Sequence, residues 1–358
     1  MEEYKITYTP SDEDIENMEK ITSFLEGLDI PYQKDDEVFG LIRINDVKNG
    51  REIQLRYVSS FHYRMDNSKR FGEEHKGIPH DYFINISHKN IEQNIRTIWI
   101  FDFEMNQHSD VTTKDGTVLK DYHRQWEVIK NTIKTATGHI DNRFFARDCE
   151  VCIVDNSELR PFLNTNCFYG YRSASVNLGL RLKKDKNGFK KGTLLMVYTF
   201  GYNFYGNKNR QDNPFVEIIR VSTMIGCQVI GGASKCLKHF LTDYPTMKVN
   251  GRNVNVNELI FYVDASHMDG RAMESMNFKF VSWKGAGFMN VFLKDVDEVY
   301  VREDGKQVAI KGKKGEIQQR KPLAHKRIME LIRDGYIVSV ANAGTSVYSL
   351  NRDEYLNQ

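Results

Sequence analysis

Residues 216–241, VEIIRVSTMIGCQVIGGASKCLKHFL, change character twice. The run 216–221 is β-type, with Val216, Ile218, Ile219 and Val221 in close succession. Residues 228–233 are turn-prone and carry Gly231 and Gly232. From there the apolar residues keep helical spacing: Ala233, Leu237 and Phe240 share one face, with Lys235, Lys238 and His239 off it. Strand, glycine turn and helix form a shape with a chemical use. Glycine lets the backbone approach a ligand, and the unpaired amides of a helix's first turn favour an anion, most often a phosphate. Gln228, Gly231, Gly232, Ala233, Ser234 and Lys235 are therefore candidate cofactor contacts. The plainer use of such a stretch is a tight turn that lets a helix pack on a sheet.

Outward from this stretch, 358 residues suffice for two or three domains. No apolar run approaches the ~18–20 residues of a membrane span, so no membrane partner is expected. The acidic start, MEEYKITYTPSDED, is neither a secretory signal nor a transit peptide, and a cytoplasmic location is expected. Five cysteines are too few, and odd in number, for a disulfide framework. The lone C-x-x-C of Cys149 and Cys152 sits in a β-like run and reads as strand residues; no metal site is assigned.

The formal net charge is only +2, but it is unevenly spread. Residues 1–40 carry twelve acids and three bases, 168–210 nine bases and one acid, and 306–333 nine bases and two acids. Two basic stretches in a near-neutral chain point to a polyanion. In the first, nine aromatics are interleaved with the charges, from Phe168 to Tyr205, and stacking surfaces beside cations suit nucleic acid. DNA is thus the expected partner. The candidate phosphate contacts are Arg172, Arg181, Lys183, Lys184, Lys190, Lys191, Arg220, Lys313, Lys314, Arg320, Lys321, Lys326 and Arg327.

In chain order, 11–29 reads as a helix capped by Ser11, with Ile15, Met18, Ile21, Phe24 and Leu25 as its apolar stripe. Strands follow at 38–44 and 52–57, a helix at 84–95, a buried strand at 97–103 and a helix at 122–135. The pattern restarts after 138–142: strand 149–154, helix 157–164, strands 175–182 and 193–200, then the opening stretch. Strand 258–263, helix 270–276 and strand 288–292 come next. In the tail, 298–310 suggests a hairpin and 324–333 a basic helix, with short strands 336–340 and 346–350 about a turn at 342–344.

The spacing Gln228, Gly231, Ala233 resembles the pyrophosphate-binding turn of the GNAT acyltransferase superfamily, which follows a strand and opens a helix. More broadly, the chain resembles phage-encoded homing endonucleases that join a very-short-patch-repair-like (PD-(D/E)XK) nuclease domain to a GNAT-like domain. The blocks that carry this are 143–150, RFFARDCE; 173–180, SASVNLGL; and Glu217–Arg220 with Val229–Lys235 and Leu237–Phe240. Residues 262–264 and 269–278 continue it, and 95–104 matches the nuclease half more weakly. The resemblance implies an α/β (α+β) chain: a degenerate restriction-endonuclease-like domain at 1–138, a GNAT-like mixed-sheet domain at 143–294 and a small basic appendage at 295–358. It also implies a phage protein, in the cytoplasm of an infected bacterial cell.

A nuclease of that kind holds a divalent metal between carboxylates on adjacent strands. Where the family has an acid, within 53–57, this chain has Arg56. The resemblance therefore implies a degenerate centre, with His80, Asp102 and Glu104 as remnants, Asp66 as a further member, and Mg2+ only if the centre works. In the GNAT-like half, Met273 stands where a general-acid tyrosine often falls, and Cys167 where the family has a histidine. Asp264 and His267 read either as an acid/base pair or as a cap for the helix after them. Three functions follow as expectations: a DNA-binding protein related to homing endonucleases, a transferase acting on a nucleobase or amine with acyl-CoA as donor, or a module that binds a host protein.

Overall fold

The computed structural model describes residues 6, 8–46, 50–105, 111–112, 116, 118–119, 125–203, 206–208, 214–249, 252–301, 307–311, 317–319 and 322–357. It is a mixed α/β structure with several separate sheets. None of its helices is long and apolar enough to cross a membrane, among the described residues. The chain forms two compact units, and neither is a continuous segment.

The first unit comprises residues 1–121, 264–269 and 285–345. Its helix Asp12–Glu26 starts on a reciprocal cap: Ser11 Oγ accepts from the Asp14 amide at 3.2 Å, and Asp14 accepts from the Ser11 amide at 2.9 Å. Met18, Ile21 and Leu25 are buried, whereas Ile15, expected in the same stripe, is 45% exposed. A four-stranded sheet follows, ordered Gln33–Lys34, Leu41–Asp46, Arg51–Val58, Arg96–Phe101. The last two strands run parallel, which requires a crossover, and helix Tyr82–Glu92 provides it. Trp99 packs edge-on against Phe83 at 4.8 Å in its core.

The basic appendage expected at 295–358 is not a separate body. Strand Phe288–Phe292 pairs antiparallel with Ile337–Ala341, and helix His325–Arg333 buries Leu331 and Ile332 against Phe292, Val296 and Ile337. The 342–344 turn does not close a hairpin either, because Thr345–Asn351 leaves to join another sheet.

The second unit comprises residues 122–263, 270–284 and 346–358. Its seven-stranded sheet is ordered Lys279–Lys284, Thr345–Asn351, Glu258–Asp264, Val216–Thr223, Leu194–Tyr202, Val176–Leu182, Cys149–Ile153. Both faces are covered. Met196 and Tyr198 join the core under helix Gly232–Asp243, while Val197, between them, joins the core under helix Asn156–Asn166. Phe200 and Phe240 stack at 3.6 Å across the first of these. Val216–Thr223 and Glu258–Asp264 are parallel and joined by three residue pairs only, 216–218 against 259–261.

Three sequence expectations change here. Cys227–Ile230, read as part of a turn, is a strand paired in parallel with Asn142–Phe145. Phe288–Phe292, read as the closing strand of the GNAT-like domain, belongs to the first unit; Lys279–Lys284 and Thr345–Asn351 complete the sheet instead. The domain boundary expected at 138–142 falls at 121/122, because helix Gln125–Thr137 belongs with the second unit: Asn131 accepts from the Gly226 amide at 2.8 Å.

Candidate functional site

Four of the five candidate catalytic residues lie in the first unit's core. Strand Arg96–Phe101, expected to run to 103, stops at Phe101, and Asp102–Met105 turns into a short helix that carries Asp102 and Glu104. Glu104 is 1% exposed, and its Oε2 accepts from the Phe101 amide at 3.0 Å. Asp102 accepts from the Ser60 amide at 2.6 Å and from the Ser60 hydroxyl, just past the parallel neighbour strand. Burial pushes Asp102 up to about 6, against the opposing pull of the Ser60 hydrogen bonds.

Asp264 and His267 come to the same place. His267 Nδ1 lies 2.9 Å from Asp264 Oδ2, and Nε2 lies 3.5 Å from Glu104 Oε2. All three are buried. Burial alone would lower the imidazole, but the Glu104 charge and the contacts to Asp264 outweigh it and raise it to about 10. His267 is therefore an imidazolium at neutral pH. A buried cation held between two carboxylates fixes the 264–269 segment; it is badly placed to take a proton from a substrate. Asp264 does not cap the following helix either, since Arg271–Glu274 starts at Gly270 without a side-chain cap. Instead its Oδ1 accepts from the Ser266 amide at 2.9 Å.

The other residues expected as nuclease remnants are not drawn in. His80 is exposed at the turn before Tyr82–Glu92. Asp66 is exposed and accepts from the Ser68 amide at 2.9 Å, so its charge caps a local turn. Arg56 is buried: its Nε donates to Gln54 at 2.9 Å, its guanidinium lies over Trp99, and Gln54 also accepts from Asn90. A cation in a closed amide network occupies the place of the expected metal-holding acid.

The glycine stretch has packing duties. Gln228, Val229 and Ile230 are held in register with Arg143, Phe144 and Phe145. Gly231 takes φ 73°, a left-handed conformation that favours glycine, just before the helix. At Gly232 a Cβ would lie 2.9 Å from Val229 Cγ1 and 3.0 Å from Leu180 Cδ1 and Met196 Sδ, so glycine lets the helix close on the sheet. Lys235, expected near a phosphate, donates its ammonium to the Ala146 and Cys149 carbonyls at 2.9 and 2.6 Å. Ala233 is half-buried against the core, and Ser234 is exposed. Gly232→Ala is thus expected to destabilise by about 1–3 kcal/mol through overpacking, in the absence of any ligand; a urea titration measures it. Cys167 is also structural: it is buried, which pushes its thiol up and away from nucleophilic use.

The basic face is smaller than the sequence implied. Tyr198 and Phe200 are core, and Phe189 packs edge-on against Phe144. Arg220 donates to the Gly170 and Ile219 carbonyls, and Arg181 to Gly192 and Glu158. Arg172 is exposed, 3.7 Å from Glu217. In the first unit Lys326 is exposed, but Arg327 is paired with Glu298 and Glu330. Lys313, Lys314, Arg320 and Lys321 lie outside the described residues.

What stays together is the turn between Val176–Leu182 and Leu194–Tyr202. Lys183 donates to the Arg147 carbonyl at 3.2 Å and Asn187 to the Arg143 carbonyl at 3.3 Å, which seats this turn on 143–148. Lys184 and Lys191 are exposed with no carboxylate in ion-pair range among the described residues. Lys186 pairs with Asp148 and Lys190 with Asp185, both at the surface, where such pairs are weak and exchange readily for another anion. Phe145, 40% exposed, carries the Arg147 and Lys186 cations at 4.9 and 5.7 Å from its ring centre. Sequence reasoning misses Phe145, Arg147 and Lys186 as contacts; the R-F-F-A-R run at 143–147 is the signal that points to them.

Compared with known proteins, the chain matches no family model and no curated protein.

Proposed function

We propose that the chain is a DNA-binding protein related to homing endonucleases, in which the nuclease-like half positions rather than cleaves. One observation carries the reading: segments 143–148 and 181–193, seated together, hold eight Lys and Arg against two Asp, around an exposed aromatic ring. Such a surface meets phosphates through lysine and offers a ring for stacking. The degenerate-centre part of the reading is supported by Arg56 in its amide network and by the engagement of Glu104 with Phe101 and His267. From Cys149 the second unit runs strand, helix, four strands, glycine turn, helix, a short strand pair, strand, helix, strand; apart from the inserted strand Cys227–Ile230 and the pair at 246–255, this order supports the GNAT-like resemblance. The acyl-CoA transferase alternative draws less support, because Lys235 already serves two carbonyls.

The test is a titration of a fluorescent duplex at two salt concentrations, with and without magnesium, with products run on a denaturing gel. Binding is expected to weaken steeply with salt, without cleavage. Every phosphate that a side chain neutralises adds about 0.9 to the slope of log affinity against log salt. Changing Lys183, Lys184, Lys190 and Lys191 together to glutamine should therefore flatten that slope by roughly 3–4. Salt-independent affinity, or an unchanged slope in the variant, would defeat the assignment; magnesium-dependent product would restore a working nuclease.

A further inference from the structure

The first unit has a cleft that none of these roles uses. Its volume is about 140 Å3, and its walls include Phe61, Leu293, Ile332 and Ile337, with Arg64, Asn67, His75 and Ser339 as polar groups and the carboxylate of Glu74, solvent-exposed and 3.9 Å from His75, at its edge. It opens to solvent at Phe61 and Leu293, which are 50% and 40% exposed.

Arg64 is the unusual feature. It is half-buried; its Nη1 donates to the Phe61 carbonyl at 2.7 Å, and its guanidinium lies over the Phe61 ring. No carboxylate lies within 4.0 Å of it among the described residues. Two arginines of the same unit are matched by carboxylates, Arg43 by Asp35 and Glu52 and Arg51 by Asp269. Burial lowers the Arg64 guanidinium below its ordinary value, as expected for a cation removed from water without a counter-charge. Asn67 Nδ2 donates to the Met65 carbonyl at 3.2 Å.

The wall that bears Arg64 is rigid. The Met65 amide donates to Ser339 at 2.7 Å, the Ile78 amide to Arg64 at 2.8 Å, and the Asp66 amide to Ile78 at 3.0 Å. A backbone tied on both sides, with the guanidinium on the Phe61 carbonyl and ring, sets the side chain before anything binds, which reduces the ordering that binding requires.

Size and charge define the guest. An apolar cavity of about 150 Å3 holds a benzene ring, while drug-sized sites start at roughly 300 Å3. A guanidinium fork matches one carboxylate or phosphate. We propose that this cleft binds a small anion made of a carboxylate or phosphate head on a single-ring body. A free aromatic acid and an aryl phosphate share that chemistry.

The test uses the full chain and four probes: benzoate, phenyl phosphate, benzyl alcohol and inorganic phosphate. Amide shifts of Met65, Asn67 and Ser339 report on the site. Benzoate or phenyl phosphate is expected to saturate these shifts, with benzyl alcohol, which lacks the charge, and inorganic phosphate, which lacks the ring, at least about tenfold weaker. Tighter benzoate identifies a carboxylic acid as the source, and tighter phenyl phosphate a phosphate monoester. Arg64→Gln should weaken the better probe at least about tenfold. Leu293→Trp, at the exposed rim, should block the cleft and provides the check if Arg64→Gln folds poorly. Equal binding of benzoate and benzyl alcohol, full affinity in either folded variant, or no saturation by about 10 mM of both anions would overturn the proposal.

Discussion

His267→Leu is expected to destabilise the first unit by about 3–5 kcal/mol, because it leaves two buried carboxylates without their cation. Glu104 and Asp264 are 1% and 8% exposed, so water cannot replace the imidazolium cheaply. The 264–269 segment should loosen first. The Trp99 amide donates to the Ser266 carbonyl at 2.8 Å, so hydrogen exchange at Trp99 reads directly whether that segment stays docked. The pH dependence separates an ion triad from mere packing. His267 is raised from about 6.5 when unfolded to about 10 when folded. Its contribution is full below pH ~6.5 and is lost as pH rises through 10. The gap in stability between wild type and variant should therefore shrink across that window. Asp102, raised to about 6, adds an earlier fall, between pH ~4 and 6, that both proteins share. A gap that stays constant to pH 10 would mean that His267 stabilises through its shape alone.

This cluster also shows what a sequence conceals. Asp102, Glu104, Asp264 and His267 are each visible as chemistry-bearing residues, but at two places 160 residues apart and assigned to two different sites. Their union depends on a six-residue loop crossing to the edge of a distant strand, and no local period records that. Local signals fare better. The Ser11 cap is readable because its partner lies three residues on, within reach of a single turn. Strand Arg96–Phe101 is readable because its continuous apolar run is the mark of burial on both faces. Double burial of another strand, Leu194–Tyr202 of the second unit, is why the basic, aromatic face is smaller than expected. Tyr198 and Phe200 look available beside so many lysines, but a central strand covered on two sides has no free face. The glycine stretch is ambiguous for a physical reason. A phosphate turn and a tight helix–sheet contact both require glycine, and only the neighbours of Gly232 and the partners of Lys235 distinguish them.

Gly77 carries the second large effect, and it is one of space rather than backbone conformation. A Cβ built there would lie 2.1 Å from the Arg64 carbonyl oxygen and 2.8 Å from the Met65 carbonyl carbon. These are main-chain atoms, so no rotamer change relieves the overlap. Segment 64–66 must shift, yet it is held by Ile78 on one side and Ser339 on the other. Relief thus breaks hydrogen bonds worth roughly 1 kcal/mol each and strains the packing of buried Ile78, for a total on the order of 3 kcal/mol. Gly285→Ala is the matched control in the same unit, because nothing lies within 4 Å of its Cβ position. That change should be neutral or stabilise by about 0.4–1 kcal/mol, through the lower entropy of the unfolded chain. Urea midpoints of the two variants test the contrast. If Gly77→Ala unfolds at the wild-type midpoint, the 64–66 segment yields freely, and the Arg64 cleft has no rigid wall to hold its guanidinium in place.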